Sequence, residues 1–373
     1  MTMTGPPVAA AAPTGPKLPN VFAVAGLAGM IGALLTAGLI AAIGGFNGTV
    51  TPVRSIERVA SPSLVRTATS TPTSDSVVTV AQRLRPAIVE VNVTTDAGRG
   101  AGSGVSFRED GHILTNHHVV AGAHKIEVIT SEGRHLVATL LGSDSETDVA
   151  VLKVDQPMPV AVLGTVRGLQ VGQQAIAIGS PLGLSGGPSV TVGVVSALGR
   201  RFDANDGTPL LDMIQTDAPI SPGSSGGALL DAAGNVIGIT TAIAVTEGIG
   251  AEGLGFATPI DIARDVAEQI ITTGRVVHVW LGVRGEDLTA GMAKSLGING
   301  GAIVREIVKG SPAETAGIKI QDVIMSVNGK AITGIGDVIV SVRQRKIDEV
   351  VKVLVFRGGK TQTMNVVLKE RAT

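Results

Sequence analysis

Short apolar runs separated by glycine and polar residues dominate the chain from residue 87 onward. They form two series of six strand-length runs, and the absence of a helical pattern inside either series is typical of antiparallel β-barrels. The runs lie at 87–93, 102–107, 112–115, 125–129, 136–141 and 149–154, and at 174–178, 190–198, 211–216, 226–230, 236–241 and 255–258. The sequence therefore predicts a mainly β fold with a pair of antiparallel barrels.

A helical pattern follows the second series of strands. Apolar residues recur at helical spacing after Pro259 and stop at Gly274, so a helix is expected to end a first globular domain at 77–275. The remainder, 279–371, combines short strands with helix-like stretches at 312–316 and 335–345. It is expected to form a second compact domain.

The first 76 residues have a different composition. Residues 1–20 are rich in Ala, Pro and Thr and predict a disordered cytoplasmic tail. The uncharged run at 21–46 is long enough to span a bilayer and longer than the apolar region of about 7 to 15 residues in a signal peptide. We therefore expect an uncleaved single-pass transmembrane anchor, a flexible linker at 47–76, and an extracytoplasmic location for the large C-terminal part.

Composition and charge narrow the classes of function. The 30 basic residues nearly balance the 31 acidic ones, so no charge excess indicates a nucleic-acid partner. There is no cysteine, which excludes disulfides, thiol catalysis and cysteine-bound metals. With 50 glycines, six phenylalanines, one tryptophan and no tyrosine, the cores must be built from small and β-branched side chains.

The segment at 214–230 contains the best candidate nucleophile. Ser225 lies between glycines, where the backbone N–H groups of Gly223 and Ser225 could face one developing oxyanion. A flexible turn is the structural alternative. Gly223, Ser225 and Gly227 also satisfy the G-x-S-x-G pattern of α/β hydrolases, so these residues alone leave the chemistry open.

A general base and an orienting acid are sought upstream. Five of the six histidines lie between residues 112 and 135, and the candidates are His112, His117, His118, His124 and His135. A metal site is not expected, because neighbours in an extended segment point to opposite faces and no acid lies at a ligand spacing.

Asp148 is the preferred acid, because it directly precedes the apolar run at 149–154. Asp144 lies in a polar turn that it is expected to close, while Asp212 and Asp217 read as turn or strand-end residues.

The chain contains three motifs, TNHHVV, TDVAVLKV and QTDAPISPGSSGGALL, together with AIGSPLG, VGVVSALGR and GLGFATP. With these motifs it resembles the HtrA (high-temperature requirement A) family of trypsin-like serine proteases over about 77–371. The resemblance implies a chymotrypsin-like double antiparallel β-barrel. It also implies that His118, the second histidine of the T-N-x-H motif, is the base, that Asp148 orients it, that Ser225 is the nucleophile, and that the N–H groups of Gly223 and Ser225 form the oxyanion hole.

Chain order supports the same reading. An α/β hydrolase runs serine, acid, histidine, whereas only His278 follows Ser225 here and no alternating βα pattern surrounds it. The order His118, Asp148, Ser225 is chymotrypsin-like.

The chain departs from the family pattern in two respects. Ser221 and Ser224 replace the two asparagines of the N-P-G-N-S-G-G motif, which bears on the rigidity and switching of the loop. Aromatic residues, which often support the family's trimer, are scarce, although the resemblance still implies a homotrimer.

Substrate contacts are expected along 236–242, which by resemblance pairs with the substrate backbone. Ile220 and the small residues Thr240, Thr241 and Ala242 suggest an apolar pocket of modest size with no buried acid. We expect Val- or Ala-like residues before the scissile bond.

The C-terminal part resembles a PDZ domain of the kind attached to these proteases. Trp280, Leu281, Gly282 and Val283 match its carboxylate-binding loop, and GSPAETAGIKIQDVIMSVNGKAI at 310–332 is the more specific stretch. The resemblance implies that backbone N–H groups of this loop hold the C-terminus of a peptide partner.

The sequence as a whole predicts a membrane-anchored, extracytoplasmic serine endopeptidase that cleaves unfolded or misfolded proteins, acts in protein quality control and stress response, and is regulated by its PDZ domain. The alternative is a protease-like chaperone or peptide-binding scaffold with little or no proteolytic activity. Neither reading requires a cofactor or a nucleic acid.

Overall fold

The computed structural model describes residues 77–180, 186–204, 207–246, 249–343 and 345–371, and for 242–252 it describes the backbone alone. The expected tail at 1–20, anchor at 21–46 and linker at 47–76 lie outside these residues. Within the described part of the chain, no helix is both long and apolar enough to cross a membrane.

The first six strands form a closed antiparallel barrel in the order β1-β2-β3-β6-β5-β4. Val89, Val91, Ile113, Val128 and Leu152 point into it and are fully buried, as β-branched and aliphatic residues alternating along a strand predict. The strands are β1 (Ile88–Thr95), β2 (Gly98–Arg108), β3 (His112–Thr115), β4 (Lys125–Ile129), β5 (His135–Asp144) and β6 (Val149–Lys153).

The next six strands close a second antiparallel barrel in the order β10-β11-β12-β9-β8-β7. Ala175, Ile214, Leu229 and Ile237 belong to its core. The strands are β7 (Gln174–Gly179), β8 (Ser189–Asp203), β9 (Pro209–Thr216), β10 (Ala228–Leu230), β11 (Val236–Thr246) and β12 (Ile249–Pro259). The predicted pair of barrels is confirmed, although β10 begins at Ala228 and leaves 226–227 to the preceding loop.

A third apolar cluster joins the two barrels to a helix. This helix, Ile260–Thr273, buries Ile260, Ala263 and Ile270 against strands from both barrels. It ends where Gly274 adopts a left-handed conformation (φ +74°) and donates its N–H to the carbonyl of Ile270. The helix that the sequence predicted after Pro259 is therefore confirmed.

The C-terminal domain is built on a mainly antiparallel sheet in the order β14-β15-β16-β18-β19. Its strands are β13 (Val279–Trp280), β14 (Val283–Asp287), β15 (Ala302–Ile307), β16 (Val323–Val327), β17 (Lys330–Ala331), β18 (Val350–Arg357), β19 (Lys360–Val367) and β20 (Lys369–Glu370). In chain order the helices of the described residues are α1 (Val77–Leu84), α2 (His117–Val120), α3 (Ile260–Thr273), α4 (Ala290–Leu296), α5 (Pro312–Thr315) and α6 (Ile335–Arg343).

Three of these helices were not expected. His117 and His118 are expected in an extended segment, whereas they begin the short helix α2. The expectation that they point to opposite faces of an extended segment is therefore wrong. The two imidazoles still diverge, because successive helical positions are separated by about 100° around the axis. Helices α1 and α4 have only eight and seven residues, too few for a clear helical period.

Candidate active site

The candidate base and acid form a hydrogen-bonded pair. His118 Nδ1 lies 2.8 Å from Asp148 Oδ2 and 3.0 Å from Oδ1, and the backbone N–H of His118 donates to Oδ1 at 3.0 Å. Asp148 is buried and has a left-handed backbone (φ +55°), while the His118 side chain is half exposed. A buried acid therefore orients an imidazole whose other nitrogen remains available to a reacting group.

Side chains around Asp148 link the two barrels. Asn116 Nδ2 donates to the backbone carbonyl of Asp148 at 2.8 Å and to Thr241 Oγ1 at 3.2 Å. Thr241 Oγ1 in turn lies 3.1 Å from Thr258 Oγ1, which donates to the carbonyl of Thr147. The backbone around Asp148 is thus linked, through the neutral side chains of Asn116, Thr241 and Thr258, to β11 and β12 of the second barrel.

Ser225 lies in the loop that precedes β10. Its Oγ donates a hydrogen bond of 2.9 Å to the carbonyl of Thr241. Within the described residues no hydrogen bond joins this Oγ to the imidazole of His118. In this structure the Ser225 hydroxyl is therefore directed to Thr241, and the predicted role as a nucleophile would require it to turn towards His118.

The loop also presents uncommitted backbone donors. The N–H groups of Gly223 and Ser225 make no hydrogen bond to any described residue. The neighbouring N–H groups differ, since Ser224 donates to the carbonyl of Ser221 and Gly226 donates to the carbonyl of Thr240. Gly223 has φ +89°, a region that favours glycine. Two free N–H groups in one tight loop provide what an oxyanion site needs.

Most of the residues predicted to line a substrate pocket are buried and contact other residues of the protein. Thr240 and Thr241 are buried, and Thr240 Oγ1 donates to the carbonyl of Ser224 at 2.6 Å. Ile220 is buried close to Gly255, where an added Cβ would lie 2.7 Å from Ile220 Cδ1. For Ala242 only the backbone is described, and contact of these residues with substrate stays a prediction.

The other candidate histidines have different partners. Those partners are Asp110 for His112 (2.7 Å), Ser143 Oγ for His117 (2.9 Å), Asp96 for His124 (3.8 Å) and Glu127 for His135 (3.5 Å). Only His118, among the described histidines, is paired with Asp148.

Asp144 closes its turn through Thr147 Oγ1 at 2.6 Å, and it also lies 2.8 Å from Nε2 of His278. This second contact was not foreseen. Burial pushes the pKa of Asp144 upwards, but the hydrogen bonds from His278 and Thr147 outweigh burial and hold that pKa below its ordinary value.

The predicted carboxylate-binding loop borders a cavity between the C-terminal domain and the protease domain. Gly282 has φ +81°, and a Cβ there would come within 2.1 Å of the Ser311 side chain, so only glycine fits. The cavity has a volume of about 350 Å³. Its lining includes an apolar wall from the C-terminal domain, formed by Leu281, Val338 and Val342, and residues of the protease domain, among them Glu146, Pro209 and Leu211. The apolar wall suits an apolar peptide end, and that role too stays a prediction.

Comparison with known proteins agrees with this architecture. A trypsin-like peptidase domain matches residues 102–239, and a PDZ domain matches residues 279–368. A protein of Marinomonas sp. (strain MWYL1) named "Probable periplasmic serine endoprotease DegP-like" is 40% identical over 72% of this chain and 57% of its own length. One of the same name from Hahella chejuensis is 45% identical over 63% of this chain and 49% of its own length. The chain therefore spans about half the length of these curated relatives.

Two solved structures match this chain over nearly their whole length. The structure of the HtrA-type protease AlgW with a tripeptide is 38% identical, with a TM-score of 0.68 over 79% of this chain and 97% of that chain. The serine endoprotease from Yersinia pestis is 35% identical, with a TM-score of 0.60 over 79% and 97%. With its two barrels, its PDZ domain and these relatives, the chain belongs to the HtrA-type family of trypsin-like serine proteases.

Proposed function

We propose that this protein is a serine endopeptidase in which Ser225, His118 and Asp148 carry the reaction. The observation that carries the proposal is the pairing of a buried Asp148 with His118 Nδ1 at 2.8 Å, in a molecule whose glycine-rich Ser225 loop presents two free N–H groups. An acid, a base and an oxyanion site are the parts that acyl transfer by a serine requires.

The proposed reaction proceeds in two halves. Ser225 Oγ attacks the carbonyl carbon of a peptide bond while His118 Nε2 takes the hydroxyl proton, and the N–H groups of Gly223 and Ser225 receive the developing oxyanion. The intermediate collapses as the C–N bond breaks and His118 returns the proton to the leaving amine. Water, deprotonated by His118, then releases the acyl group. Asp148 keeps the Nδ1 proton in place and stabilises the imidazolium.

The resting bond from Ser225 Oγ to the Thr241 carbonyl adds a step before attack. Thr241 lies on β11, the strand that we propose pairs with the substrate backbone. A substrate that pairs with β11 would compete with the Ser225 hydroxyl for the carbonyl of Thr241 and so help to release that hydroxyl. Productive binding and activation of the nucleophile are coupled in this scheme.

The wider role that we propose is an extracytoplasmic quality-control and stress-response protease, anchored by residues 21–46, trimeric, and regulated by C-terminal peptides at its PDZ domain. Support for the location comes from relatives named as periplasmic endoproteases. Support for peptide regulation comes from the cavity beside Gly282, which has an apolar wall of Leu281, Val338 and Val342. We propose unfolded or misfolded proteins as substrates.

A second candidate function is a peptide-binding scaffold or holdase that cleaves slowly. The observation that favours it is the Ser225 hydroxyl, which is bonded to Thr241 rather than to His118.

The two functions are separated by incubating residues 70–373 with unfolded casein and comparing the wild type with Ser225→Ala. We expect fragments from the wild type alone. Equal fragment release by both proteins would remove the enzyme reading, and no release by either would favour the scaffold. The finer role has its own test, in which a hydrophobic C-terminal peptide should change the cleavage rate of the wild type but not of a protein truncated before Trp280.

A further inference from the structure

Ser103 connects the first barrel to the loop that carries Ser225. It lies on β2, it is fully buried, and its backbone N–H donates to the carbonyl of Ser225 at 2.7 Å. Its Oγ donates to the carbonyl of Gly223 at 2.7 Å and accepts the N–H of Ser180 at 2.8 Å. One residue of the opposite barrel therefore holds the loop at two points, two residues apart.

These two points flank the proposed oxyanion donor. A fixed carbonyl fixes its whole peptide plane, because the peptide unit is planar. The Ser103 side chain holds the plane that joins Gly223 to Ser224, and its main chain holds the plane that joins Ser225 to Gly226. The plane between them carries the N–H of Ser225, so its orientation is restricted from both sides.

The fit around Ser103 is too close for larger residues. A Cβ at Gly226 would lie 2.0 Å from the carbonyl oxygen of Ser103, and one at Gly102 would lie 3.1 Å from the carbonyl oxygen of Ser225. Thr115 Oγ1 donates to the same Ser103 carbonyl at 2.7 Å. The main chain of Ser103 is thus fixed from its own barrel while it contacts the loop of the other.

We propose that Ser103 is a positioning residue, whose hydroxyl sets the geometry of the oxyanion donors without touching the substrate. The inference rests on the proposed function, because it assigns the loop N–H groups to an oxyanion. Alanine at this position would keep both backbone bonds and remove the bonds to Gly223 and Ser180. The carbonyl of Gly223 would lose its restraint, and the loop could rotate its donors out of line.

Ser106 provides a matched control. It lies on the same strand and is equally buried, but its Oγ has no hydrogen-bond partner among the described residues. Ser106→Ala therefore removes the same hydroxyl from the same barrel without changing a bond to the loop.

The test measures kcat and KM for a short peptide substrate, over a range of pH, in the wild type and in Ser103→Ala, Ser106→Ala and Ser225→Ala. For Ser103→Ala we expect kcat to fall about 10- to 100-fold with KM within about threefold, since loss of one oxyanion donor costs about 10²–10³. The acid limb of the pH profile should not move, because the His118–Asp148 pair is untouched. Ser106→Ala should match the wild type.

The outcomes separate this inference from the function on which it rests. An active Ser225→Ala variant would overturn both. An inactive Ser225→Ala variant beside Ser103→Ala with wild-type kcat would overturn the positioning role alone. A shifted acid limb, or a melting midpoint of Ser103→Ala more than about 15 °C below that of Ser106→Ala, would assign Ser103 to general folding and also overturn it.

Discussion

The first barrel meets the second barrel and the PDZ domain through contacts of different chemistry. At the candidate active site the contacts are neutral: Ser103 holds Gly223 and Ser225, and Asn116 holds Thr241. Hydroxyl, amide and backbone groups make these bonds, and none of them changes charge between pH 3 and 9. The geometry of the loop that carries Ser225 should therefore be insensitive to pH and salt.

The contact with the PDZ domain is ionic. Asp144 is the last residue of β5 and Glu146 follows it, and both face His278, at 2.8 Å and 3.5 Å, while Glu146 also pairs with Arg371. Arg343, at the end of α6, interacts electrostatically with Asp144. The acids lie on the protease side, the arginines lie on the PDZ side, and His278 lies in the segment that leads to the PDZ domain.

The charged groups of this junction are partly buried. Burial raises the pKa of Asp212 on β9 and lowers the pKa of Arg343. The negative charges of Asp144 and Asp212 act against the lowering of the Arg343 pKa. Charges that are partly removed from water depend on their partners, so losing one partner costs more than at the surface. One barrel therefore combines a neutral interface at the candidate active site with a charged junction to the PDZ domain.

The largest expected effect concerns Asp148 in the neutral interface. Asp148→Asn should keep the fold but lower kcat about 10⁴-fold, because an amide cannot hold the Nδ1 proton of His118 or stabilise its charged form. Peptide hydrolysis under saturating substrate measures it. Asp144→Asn, four residues upstream, is the control, and a kcat for Asp148→Asn within tenfold of that control would contradict the assignment.

The next effect concerns the close approach of the two barrels. Gly226→Ala combines a φ of +88° with a Cβ placed 2.0 Å from the Ser103 carbonyl oxygen, and should cost about 3 kcal/mol or more of unfolding free energy. Gly122→Ala shares a positive φ of +69° with no atom within 4 Å and should cost about 1–2 kcal/mol. Urea unfolding compares them, and equal losses would show that the contact does not matter.

The charged junction is tested by removing Arg343. Arg343→Met leaves Asp144 and Asp212 without this cation, and we expect a loss of about 2 kcal/mol of unfolding free energy. Arg284→Met, which removes an exposed cation paired with Glu306, should cost less than about 0.5 kcal/mol. Denaturant unfolding measures the free energy of unfolding of both variants. Equal losses would contradict the claim that the junction contributes more to stability than an exposed ion pair.

The smallest effect is a pH response at the same junction. The lowered pKa of Asp144 means that its contribution to stability is present above the ordinary value of 3.8 and is lost as the pH falls through the lower, folded value. Trp280, the only tryptophan, borders the cavity shared by His278 and Glu146 and reports the junction by fluorescence. We expect a fluorescence change below about pH 4 that Asp144→Asn reduces; identical titrations would contradict it.

How much of this structure the sequence predicts depends on how far apart the interacting residues lie along the chain. The barrels and α3 follow from local patterns, since each strand or helix shows its own period of apolar residues. The contact of Ser103 with Gly223 spans 120 positions, and that of Asp144 with His278 spans 134. No local pattern encodes such pairs, so neither the contacts of Ser103 nor the contact of Asp144 with His278 follows from the sequence, whereas the turn that Asp144 closes does.

The candidate site shows the same limit. The segment with two adjacent histidines and the segment with two adjacent serines each contain one proposed functional residue, and a motif is needed to choose between neighbours. The structure adds that His118 faces Asp148 whereas His117 faces Ser143. It also adds the bond from Ser225 to Thr241, which depends on how β11 pairs within the second barrel and which no sequence pattern predicted.

The most direct test of the central claim, that His118 activates Ser225, is covalent labelling with a fluorophosphonate followed by peptide mapping. We expect a single adduct on Ser225 in the wild type and in His117→Ala, and a labelling rate at least about 100-fold lower in His118→Ala, since about 10² is the lower end of what a general base contributes. An adduct on Ser224, or a label whose rate depends on His117 instead of His118, would contradict it.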